Sequence, residues 1–302
     1  MKNSTVPILN PFEMGQIHFD AQLAWQTLFT STHHFFHINR LEEYKDMMKF
    51  PLPPHRKMVF DFVFLTSGTS VRSKGLDSYQ FGANTFFFLP AYQITAHKSM
   101  SLDAKGFYCH FDSEVLTKNF QSKDLFADYS FLQFIGNPLV TIDEETTQTI
   151  LFILHRLEKE YKKSDSPDFS IVQGYLLALM SEIRPFVKTE QKVKINAASQ
   201  ITEKYKSALA QYSYQKQKIR DYADILSVTP NHLNKCVKAT TGKSAHELLD
   251  DMLLLEAKVM LKQTGLSIAE VAFRIGKTEL SDFGRFFKQK TGFTPGEYRK
   301  KD

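Results

Sequence analysis

Two segments of the C-terminal region carry amide, hydroxyl and cationic side chains that share one side of a helix at steps of three and four residues. They are Asn231, Asn234, Lys235 and Lys238 in the first segment, and Ser281, Arg285 and Lys288 in the second. In the major groove of DNA, an Asn amide can bond the edge of adenine, and an Arg or Lys can bond the edge of guanine. Any one of these cations, taken alone, is equally well explained as a hydrated side chain on a helix surface. The two sets together predict a surface that reads DNA bases.

The apolar residues of these two segments fall on the opposite side, at positions i, i+3 and i+4. They are Leu233, Cys236 and Val237 in the first segment, and Phe283, Phe286 and Phe287 in the second. A stripe with this spacing is typical of a helix whose apolar side is buried. Each segment is therefore predicted to form an amphipathic helix that turns its polar side outward.

The two predicted helices belong to a sequence that repeats. Residues 218–248 align with residues 267–298 at an offset of 49, which becomes 50 after one inserted residue. At the first offset Ile219, Ala223 and Leu226 match Ile268, Ala272 and Ile275. At the second, Leu233, Val237, Lys238, Thr241 and Gly242 match Phe283, Phe287, Lys288, Thr291 and Gly292. A repeat of this kind predicts two helix-turn-helix units.

Small residues stand where such units need them. Ala223 and Ala272 are predicted at the close crossing of the two helices, and Gly276 supplies a positive φ in the turn, with Ser227 as its poorer counterpart. The segment HELLDDMLLLEAKVMLKQ joins the units. If both second helices face the same side of B-DNA, they enter major grooves about 34 Å apart. Phosphate contacts are predicted for Lys238, Lys243, Lys288, Lys290, Arg299 and Lys300.

These motifs resemble the AraC/XylS family of bacterial transcription regulators over about 100 residues, from Ile201 to Lys300. The resemblance is carried by TPNHLNKCVKATTGKS, LLLEAKVMLKQTGLSIAEVAFRIG and FGRFFKQKTGFTPGEYR. It implies a sequence-specific DNA-binding regulator of transcription. It also implies base contacts from Asn231, Asn234 and Lys235 in the first unit, and from Leu280, Ser281 and Arg285 in the second.

The chain departs from the family pattern at two places. Many members carry Gly-Phe where this chain has Gly276 and Lys277, so an apolar contact there is expected to be lost or replaced. Members also often carry an arginine in the stretch that matches Asp250 to Leu253. Its absence puts a phosphate contact from the linking helix in doubt.

Charge and aromatic content both divide the chain near residue 194. Residues 194–302 hold 19 Lys and Arg against 12 Asp and Glu, whereas residues 1–193 hold 19 against 21 and contain 22 of the 27 phenylalanines. The division predicts two domains, at residues 1–190 and 198–302, joined by a charged linker over residues 187–197. The basic C-terminal part suits a polyanionic partner, although a hydrated basic surface would carry the same charge.

The N-terminal region reads as β-structure between about residues 20 and 115. In KMVFDFVFLTSG, one face holds Met58, Phe60, Phe62 and Phe64, and the other holds Val59, Asp61, Val63 and Leu65. Such alternation predicts strands, here in an antiparallel barrel or sandwich. PHRKMVFDFVFLTSG, FGANTFFFLP and His97 resemble the cupin-like sensor barrel of the same family. The predicted fold class is α+β: an N-terminal cupin-like β-barrel with flanking helices, and a C-terminal all-α domain with two helix-turn-helix motifs.

Two amphipathic helices are predicted after the barrel, with apolar residues at helical spacing over residues 150–161 and 172–183. The pattern leaves open whether they close the barrel or form a contact with a second copy of the chain. The resemblance implies a small-molecule effector in the barrel, a homodimer, and activation through RNA polymerase. An alternative keeps the DNA-binding domain and makes the N-terminal half a dimerisation or protein-interaction module without an effector.

Candidates for an effector pocket are the aromatic strand residues and two polar neighbours. They are Phe60, Phe62, Phe64, Phe86, Phe88, Tyr108 and His110. Alternating phenylalanines in strands are more often core, and the sequence does not determine which face points inward.

A metal-dependent cupin enzyme is the competing class, and the histidines disfavour it. His33, His34 and His37 precede the barrel strands, His55 stands alone, and His97 and His110 lack a partner at metal-ligand spacing. No phosphate-binding glycine loop, cysteine pair or nucleophile motif is present. We therefore predict no catalytic residue, no metal and no cofactor.

The remaining composition indicates a cytoplasmic protein. No apolar run approaches the roughly 20 residues that span a bilayer, and no N-terminal signal pattern is present. Cys109 and Cys236 are the two cysteines and lie in unlike surroundings, which disfavours a disulfide.

Overall fold

A computed structural model describes residues 6–19, 35–117, 129–132, 137–163, 167–187, 197–213 and 216–300. The chain divides into two compact units, an N-terminal unit at Ile8–Glu190 and a C-terminal unit that contains Gln191–Asp302. His33, His34 and nearly all of the predicted linker lie outside the described residues.

The described residues of the N-terminal unit form mainly strands, which are β1 (Ile8–Leu9), β2 (Phe36–Arg40), β3 (Leu52–Lys57), β4 (Phe60–Ser67), β5 (Ser70–Lys74), β6 (Asp77–Phe81), β7 (Thr85–Leu89), β8 (Thr95–Met100), β9 (Lys105–Phe111) and β10 (Leu139–Thr141). Its helices are α1 (Pro11–His18), α2 (Leu41–Tyr44), α3 (Ser113–Thr117), α4 (Glu144–Tyr161) and α5 (Phe169–Ile183). Short 3₁₀ turns lie at Lys45–Met47, Ser130–Leu132 and Arg184–Phe186.

The strands form two five-stranded sheets. One has the order β1-β3-β8-β5-β6 and the other has the order β10-β7-β4-β9-β2. No pairing between described strands joins one sheet to the other, so the closed barrel predicted from the sequence is not found there. The mixed α+β class is confirmed, because strands dominate this unit and helices the other.

One face of the second sheet is covered by helices. On β4 and β7, Phe62, Phe64, Phe86 and Phe88 pack in the same hydrophobic core as residues of α4 and α5. All four phenylalanines are fully buried, and the rings of Phe64 and Phe86 stack with centroids 4.3 Å apart. The predicted helices therefore cover the sheet, which is the role that the sequence left open beside dimerisation.

The opposite face of the second sheet carries the alternate residues. Asp61 lies opposite His110, and Val63 lies opposite Tyr108, in the antiparallel pairing of β4 with β9. Because side chains alternate along a strand, these residues point away from the helix-covered core. They belong to the side of the sheet where the cavity described below is found.

The described part of the C-terminal unit is entirely helical, as predicted. Its helices are α6 (Ala197–Tyr212), α7 (Ile219–Ile225), α8 (Pro230–Thr241), α9 (Ala245–Gln263), α10 (Ile268–Arg274), α11 (Leu280–Thr291) and α12 (Pro295–Lys300). Four of them begin at hydroxyl caps, in which Thr229, Ser244, Ser267 and Thr294 accept backbone N–H groups of the first turn.

The structure also bears on two features of composition. Over the residues that it describes, no helix has the length and apolar character needed to cross a membrane. Cys109 and Cys236 are both free thiols and both buried.

Candidate nucleic-acid interface and ligand cavity

The two helix-turn-helix units, α7–α8 and α10–α11, have matching turns. Ser227 has a φ of 54° and Gly276 a φ of 75°, so both turns use the left-handed conformation that the sequence predicted. In the first turn the N–H of Val228 donates to the carbonyl of Ala223 at 2.9 Å, and in the second Lys277 donates to Ala272 at 2.9 Å. The repeat seen in the sequence is therefore a repeat of backbone geometry.

Backbone conformation favours glycine in the second turn, and a flexible side chain fills the space beside it. A Cβ at Gly276 would lie 2.4 Å from the side-chain nitrogen of Gln217. That nitrogen donates to the carbonyls of Ser213 and Ile275, both at 2.9 Å. A larger residue would displace the side chain that ties α6 to the second unit.

The helices α8 and α11 bury their apolar sides and end alike. Leu233, Val237, Phe283 and Phe287 are fully buried. Both helices end at a left-handed glycine, Gly242 with φ 73° and Gly292 with φ 80°, and glycine is the residue that adopts this cap most readily.

The outward faces of α8 and α11 carry the predicted polar residues in the same pattern. Asn231, Lys235 and Lys238 are exposed at i, i+4 and i+7 on α8, and Ser281, Arg285 and Lys288 are exposed at the same steps on α11. Residues at these steps share one helix face. The structure thus brings each set together on the exposed side of its helix.

The second helix differs from the first in its charge near the N-terminus. Arg285 is 80% exposed and forms an ion pair with Asp282 one turn earlier. Leu280, which the resemblance places among the base contacts, is 52% exposed. An exposed ion pair contributes roughly 0.2–1 kcal/mol, so Arg285 can exchange this partner for another acceptor.

Asn234 is engaged within the unit. Its side-chain oxygen accepts the N–H of Ala245, the first residue of α9, at 3.0 Å. This bond satisfies one of the N–H groups that a helix start leaves without an intrahelical partner. The predicted base contact by Asn234 would have to coexist with this bond or replace it.

Arg299 is also engaged within the unit. Its guanidinium donates to the carbonyls of Leu261 and Leu266, near the C-terminal end of α9. The side chain is half-buried. The contacts tie α12 to α9, and they occupy donors that a phosphate contact would need.

Acidic residues of α9 hold two more of the predicted phosphate contacts. Lys243 pairs with Asp251 at 2.6 Å, and Lys290 pairs with Asp250 at 3.8 Å. These carboxylates stand in the stretch where the family pattern often has an arginine. The departure noted in the sequence therefore places two negative charges beside two lysines, whereas Lys300 is exposed at the end of α12.

The other departure from the family pattern has a direct structural counterpart. The ammonium of Lys277 lies 4.9 Å from the centre of the Phe286 ring. A cation over an aromatic face is worth about 0.5–1 kcal/mol at an exposed site. Position 277 thus contacts Phe286 through a cation, and the Phe286 side chain is half-buried.

In the N-terminal unit a cavity lies between the two sheets. It has a volume of about 70 Å³, several times the space that one water molecule needs. The first sheet contributes His55, Lys57, Arg72 and His97, and the second contributes His37, Asn39 and Tyr108. Helices α1 and α2 add apolar residues and His18.

The lining of the cavity differs from the sequence-based choice of pocket residues. Tyr108 lines it, but Phe60, Phe62, Phe64, Phe86 and Phe88 belong to the core on the helix-covered face of the sheet. His110 does not line the cavity. It is fully buried, and its Nδ1 lies 3.3 Å from the hydroxyl of Tyr108, which does. The difference has a simple cause: alternation identifies two faces of a strand without indicating which of them the helices cover.

A buried group of three charges borders the cavity. Asp61 accepts from Lys57 at 2.9 Å and from Arg72 at 3.1 Å, and none of the three side chains is more than 4% exposed. Burial lowers the pKa of Lys57 to about 8, although Asp61 opposes this shift. Burial works to raise the pKa of Asp61, but the charges of Lys57 and Arg72 outweigh it and hold that pKa below its usual range.

Burial disfavours the charged form of three histidines of the lining, His18, His55 and His97. Burial, helped by Lys57, lowers the pKa of His55 to about 3, and burial holds the pKa of His18 and of His97 well below the usual range. No group of three or more potential metal ligands occurs among the residues that the structure describes. In that part of the chain the histidines face Lys57 and Arg72, two cations that would repel a metal ion.

Patterns in the sequence did not indicate most of the residues that line the cavity. His18, the pair His55 and Lys57, and Arg72 lie in three separate segments of the chain, and each looks unexceptional in its own segment. The available signal was the presence of charged residues inside strands, such as Arg72 in β5. Charged groups are almost never fully buried without a partner, but the sequence did not say which residues would meet.

The family model of a helix-turn-helix domain matches residues 222–301. One relative is an uncharacterised HTH-type transcriptional regulator, YisR of Bacillus subtilis, which is 22% identical over 80% of this chain and 86% of its own length. Another is the HTH-type transcriptional activator RhaR of Mannheimia succiniciproducens, 25% identical over 52% of this chain; the match spans 56% of RhaR.

A solved structure similar to most of the chain is that of ToxT from Vibrio cholerae. It is 12% identical, and the match covers 88% of this chain and 98% of ToxT with a TM-score of 0.36.

Proposed function

Because this chain belongs to the AraC-type family of helix-turn-helix transcription regulators, we propose that it recognises a specific DNA site with α8 and α11 together. Asn231 and Lys235 on the first helix, and Ser281 and Arg285 on the second, would address base edges in two major grooves. Lys238, Lys288 and Lys300 would contact phosphates, with Lys243 and Lys290 joining them if their carboxylate partners yield.

One observation carries this proposal. Two units with the same turn hydrogen bond, the same left-handed turn and the same glycine cap each leave an amide or hydroxyl and two cations exposed at i, i+4 and i+7. A hydrated surface accounts for one such face. It does not account for the recurrence of the pattern on the second helix of both units.

The test compares charge loss at two sites of the chain. Lys235→Ala and Arg285→Ala are each expected to weaken binding to a specific promoter fragment by roughly 1–3 kcal/mol if the residue bonds a guanine edge bidentately. Binding to random DNA should weaken less, so discrimination falls. Arg184→Ala, which removes an exposed cation from the N-terminal unit, is the matched control. Unchanged discrimination in both test variants would refute the assignment.

We further propose that the cavity of the N-terminal unit holds a small-molecule effector that alters DNA binding, and that the regulator is a homodimeric activator working through RNA polymerase. A cavity lined by converging polar groups and apolar walls supports the effector, and the relative named as an activator supports the sign of regulation. The alternative, an interaction module without an effector, predicts that no metabolite raises the melting temperature of the chain.

A further inference from the structure

The chemistry of the cavity lining restricts what an effector can be, and this inference rests on the proposed effector role. Lys57 and Arg72 supply two positive charges, and Asp61 supplies one negative charge. Among the described residues that line the cavity there is no Asp or Glu. The buried group therefore carries a surplus of one positive charge, which a ligand of one negative charge would balance. A buried charge without a partner is costly, so this balance would favour binding.

Two buried nitrogen atoms beside the cavity lack hydrogen-bond partners. They are Nε of Arg72 and Nε2 of His55, and each belongs to a side chain that lines the cavity and is at most 3% exposed. Buried polar groups are nearly always hydrogen-bonded in folded proteins. Two orphaned atoms next to one cavity therefore point to a ligand that satisfies both.

The two nitrogen atoms need opposite hydrogen-bond partners, one an acceptor and the other a donor. Nε of Arg72 is a donor, since guanidinium nitrogens carry hydrogen and accept nothing. His55 Nδ1 lies 2.9 Å from the carbonyl of Pro53, and a carbonyl oxygen can only accept. In the neutral ring this assigns the hydrogen to Nδ1, which leaves Nε2 as an acceptor. The ligand must therefore accept at Arg72 and donate at His55.

The rest of the wall is mainly apolar. Met14, Phe19, Leu41, Leu52, Val63 and Met100 line it. A carboxylate carries one negative charge, whereas a phosphate ester carries between about 1.5 and 2 at neutral pH. The surplus of one charge and the apolar wall thus favour an organic carboxylate over a phosphate ester.

We propose that the cavity binds a small hydroxycarboxylate with a short apolar body. Its carboxylate accepts hydrogen bonds from Arg72 and Lys57, and its hydroxyl group donates a hydrogen bond to His55. Tyr108 stands beside the same site, with its hydroxyl 3.5 Å from the Lys57 ammonium. The cavity would reject the neutral amide of the same compound, because that exchange leaves the surplus positive charge unbalanced.

The test uses matched probes on the unaltered full-length chain. Mandelate, mandelamide and phenylacetate form one triplet, and 2-hydroxyhexanoate, 2-hydroxyhexanamide and hexanoate form a second; inorganic phosphate serves as a bare anion. At least one hydroxy acid should raise the melting temperature of the N-terminal unit by ligand linkage. Its amide should bind about tenfold more weakly, as expected for loss of a charge-assisted hydrogen bond. The acid without the hydroxyl should bind about fivefold more weakly, as expected for loss of a neutral hydrogen bond.

A variant then locates the binding. Arg72→Gln should lose the preference for acid over amide, whereas Arg184→Gln, which removes an exposed cation of the same unit, should keep it. If Arg72→Gln does not fold, the comparison of acid with amide on the unaltered chain still decides the question.

The possible failures are distinguishable. An amide that binds as tightly as its acid, or no stabilisation by either hydroxy acid, overturns the inference. Equal binding of the acids with and without the hydroxyl overturns the role given to His55. A neutral metabolite that stabilises the unit, where neither hydroxy acid does, overturns the ligand class and leaves the effector role standing. Discrimination between promoter and random DNA, measured without any probe, tests the DNA-binding proposal separately.

Discussion

In the N-terminal unit, Lys57 and Arg72 are almost completely buried and share the carboxylate of Asp61. In the C-terminal unit, Lys235 and Arg285 stand exposed on the outer faces of two helices. A cation surrounded by protein loses its hydration and must be balanced by another charge, which fits it to select a small ligand. A cation in solvent keeps its hydration and can meet a large polyanion at little cost. The same residue types thus suit two kinds of partner because of where the fold places them.

One substitution tests whether the aromatic face of the second sheet, opposite the cavity, is the core of the N-terminal unit. Phe62→Ala removes a fully buried ring that lies 5.5 Å from Phe86 and 5.4 Å from Phe88. The loss should lower the free energy of unfolding by roughly 3–5 kcal/mol. Phe152→Ala on α4, where the ring is 66% exposed, should change it by less than about 0.5 kcal/mol. Urea unfolding of both variants measures the difference; similar effects would mean that the aromatic face is not the core of this unit.

Acid should destabilise the N-terminal unit before the C-terminal one. The pKa of His55 is about 3 in the folded chain, below its ordinary value of 6.5. At a pH between these two values, His55 binds a proton in the unfolded chain but not in the folded chain. Stability therefore falls as the pH falls, by roughly 2 kcal/mol between pH 6.5 and 4.5 from His55. His18 and His97 act in the same direction. The described histidines of the C-terminal unit, His232 and His246, are exposed.

Peptide-resolved hydrogen exchange at the two pH values, corrected for the intrinsic pH dependence of exchange, follows each unit in the full chain. His55→Gln should flatten the response of the N-terminal unit, and His232→Gln should leave both units unchanged. Equal loss of protection in the two units would contradict the assignment of the buried histidines.

Two asparagines of α8 test which side of the C-terminal unit faces DNA, as proposed above. Asn234→Ala removes the acceptor of the Ala245 N–H and should lower the free energy of unfolding by about 1 kcal/mol, as loss of a helix cap does. Asn231→Ala, at an exposed position, should leave stability within about 0.5 kcal/mol and reduce discrimination between specific and random DNA. If Asn231→Ala instead destabilises the unit and leaves discrimination intact, the outward assignment of this face is wrong.

The smallest expected effect concerns the acidic stretch of α9. Asp251→Asn removes the partner of Lys243, which frees that lysine for a phosphate. Because exposed ion pairs are worth about 0.2–1 kcal/mol, affinity should rise at most about fivefold and by the same factor for specific and random DNA. Glu182→Gln, an equal charge change at an exposed position of the N-terminal unit, is the control. A rise confined to the specific site would show that Lys243 reads bases.

Local patterns in the sequence were sufficient for the C-terminal unit. Its helices, their apolar stripes, the left-handed turns at Ser227 and Gly276 and the outward faces of α8 and α11 depend on residues within a few positions of one another. Helix geometry converts such spacings directly into faces. The engagement of Asn234 with α9 and of Arg299 with two carbonyls was not predictable, because those partners are 11 to 38 residues away.

For the N-terminal unit, alternation in β4 and β7 indicated strands and two faces but did not indicate which face the helices would cover. That choice and the division of the strands into two sheets depend on pairing between distant segments. Asp61 meets Lys57 and Arg72, which lie 4 and 11 residues away along the chain, only where the two sheets pack together. Periodicity along a chain records local geometry alone, whereas a buried charge is tolerated only once its partner has been brought to it through space. The outward faces of α8 and α11 could therefore be found from the order of residues, and the cavity could be found only after the sheets were assembled.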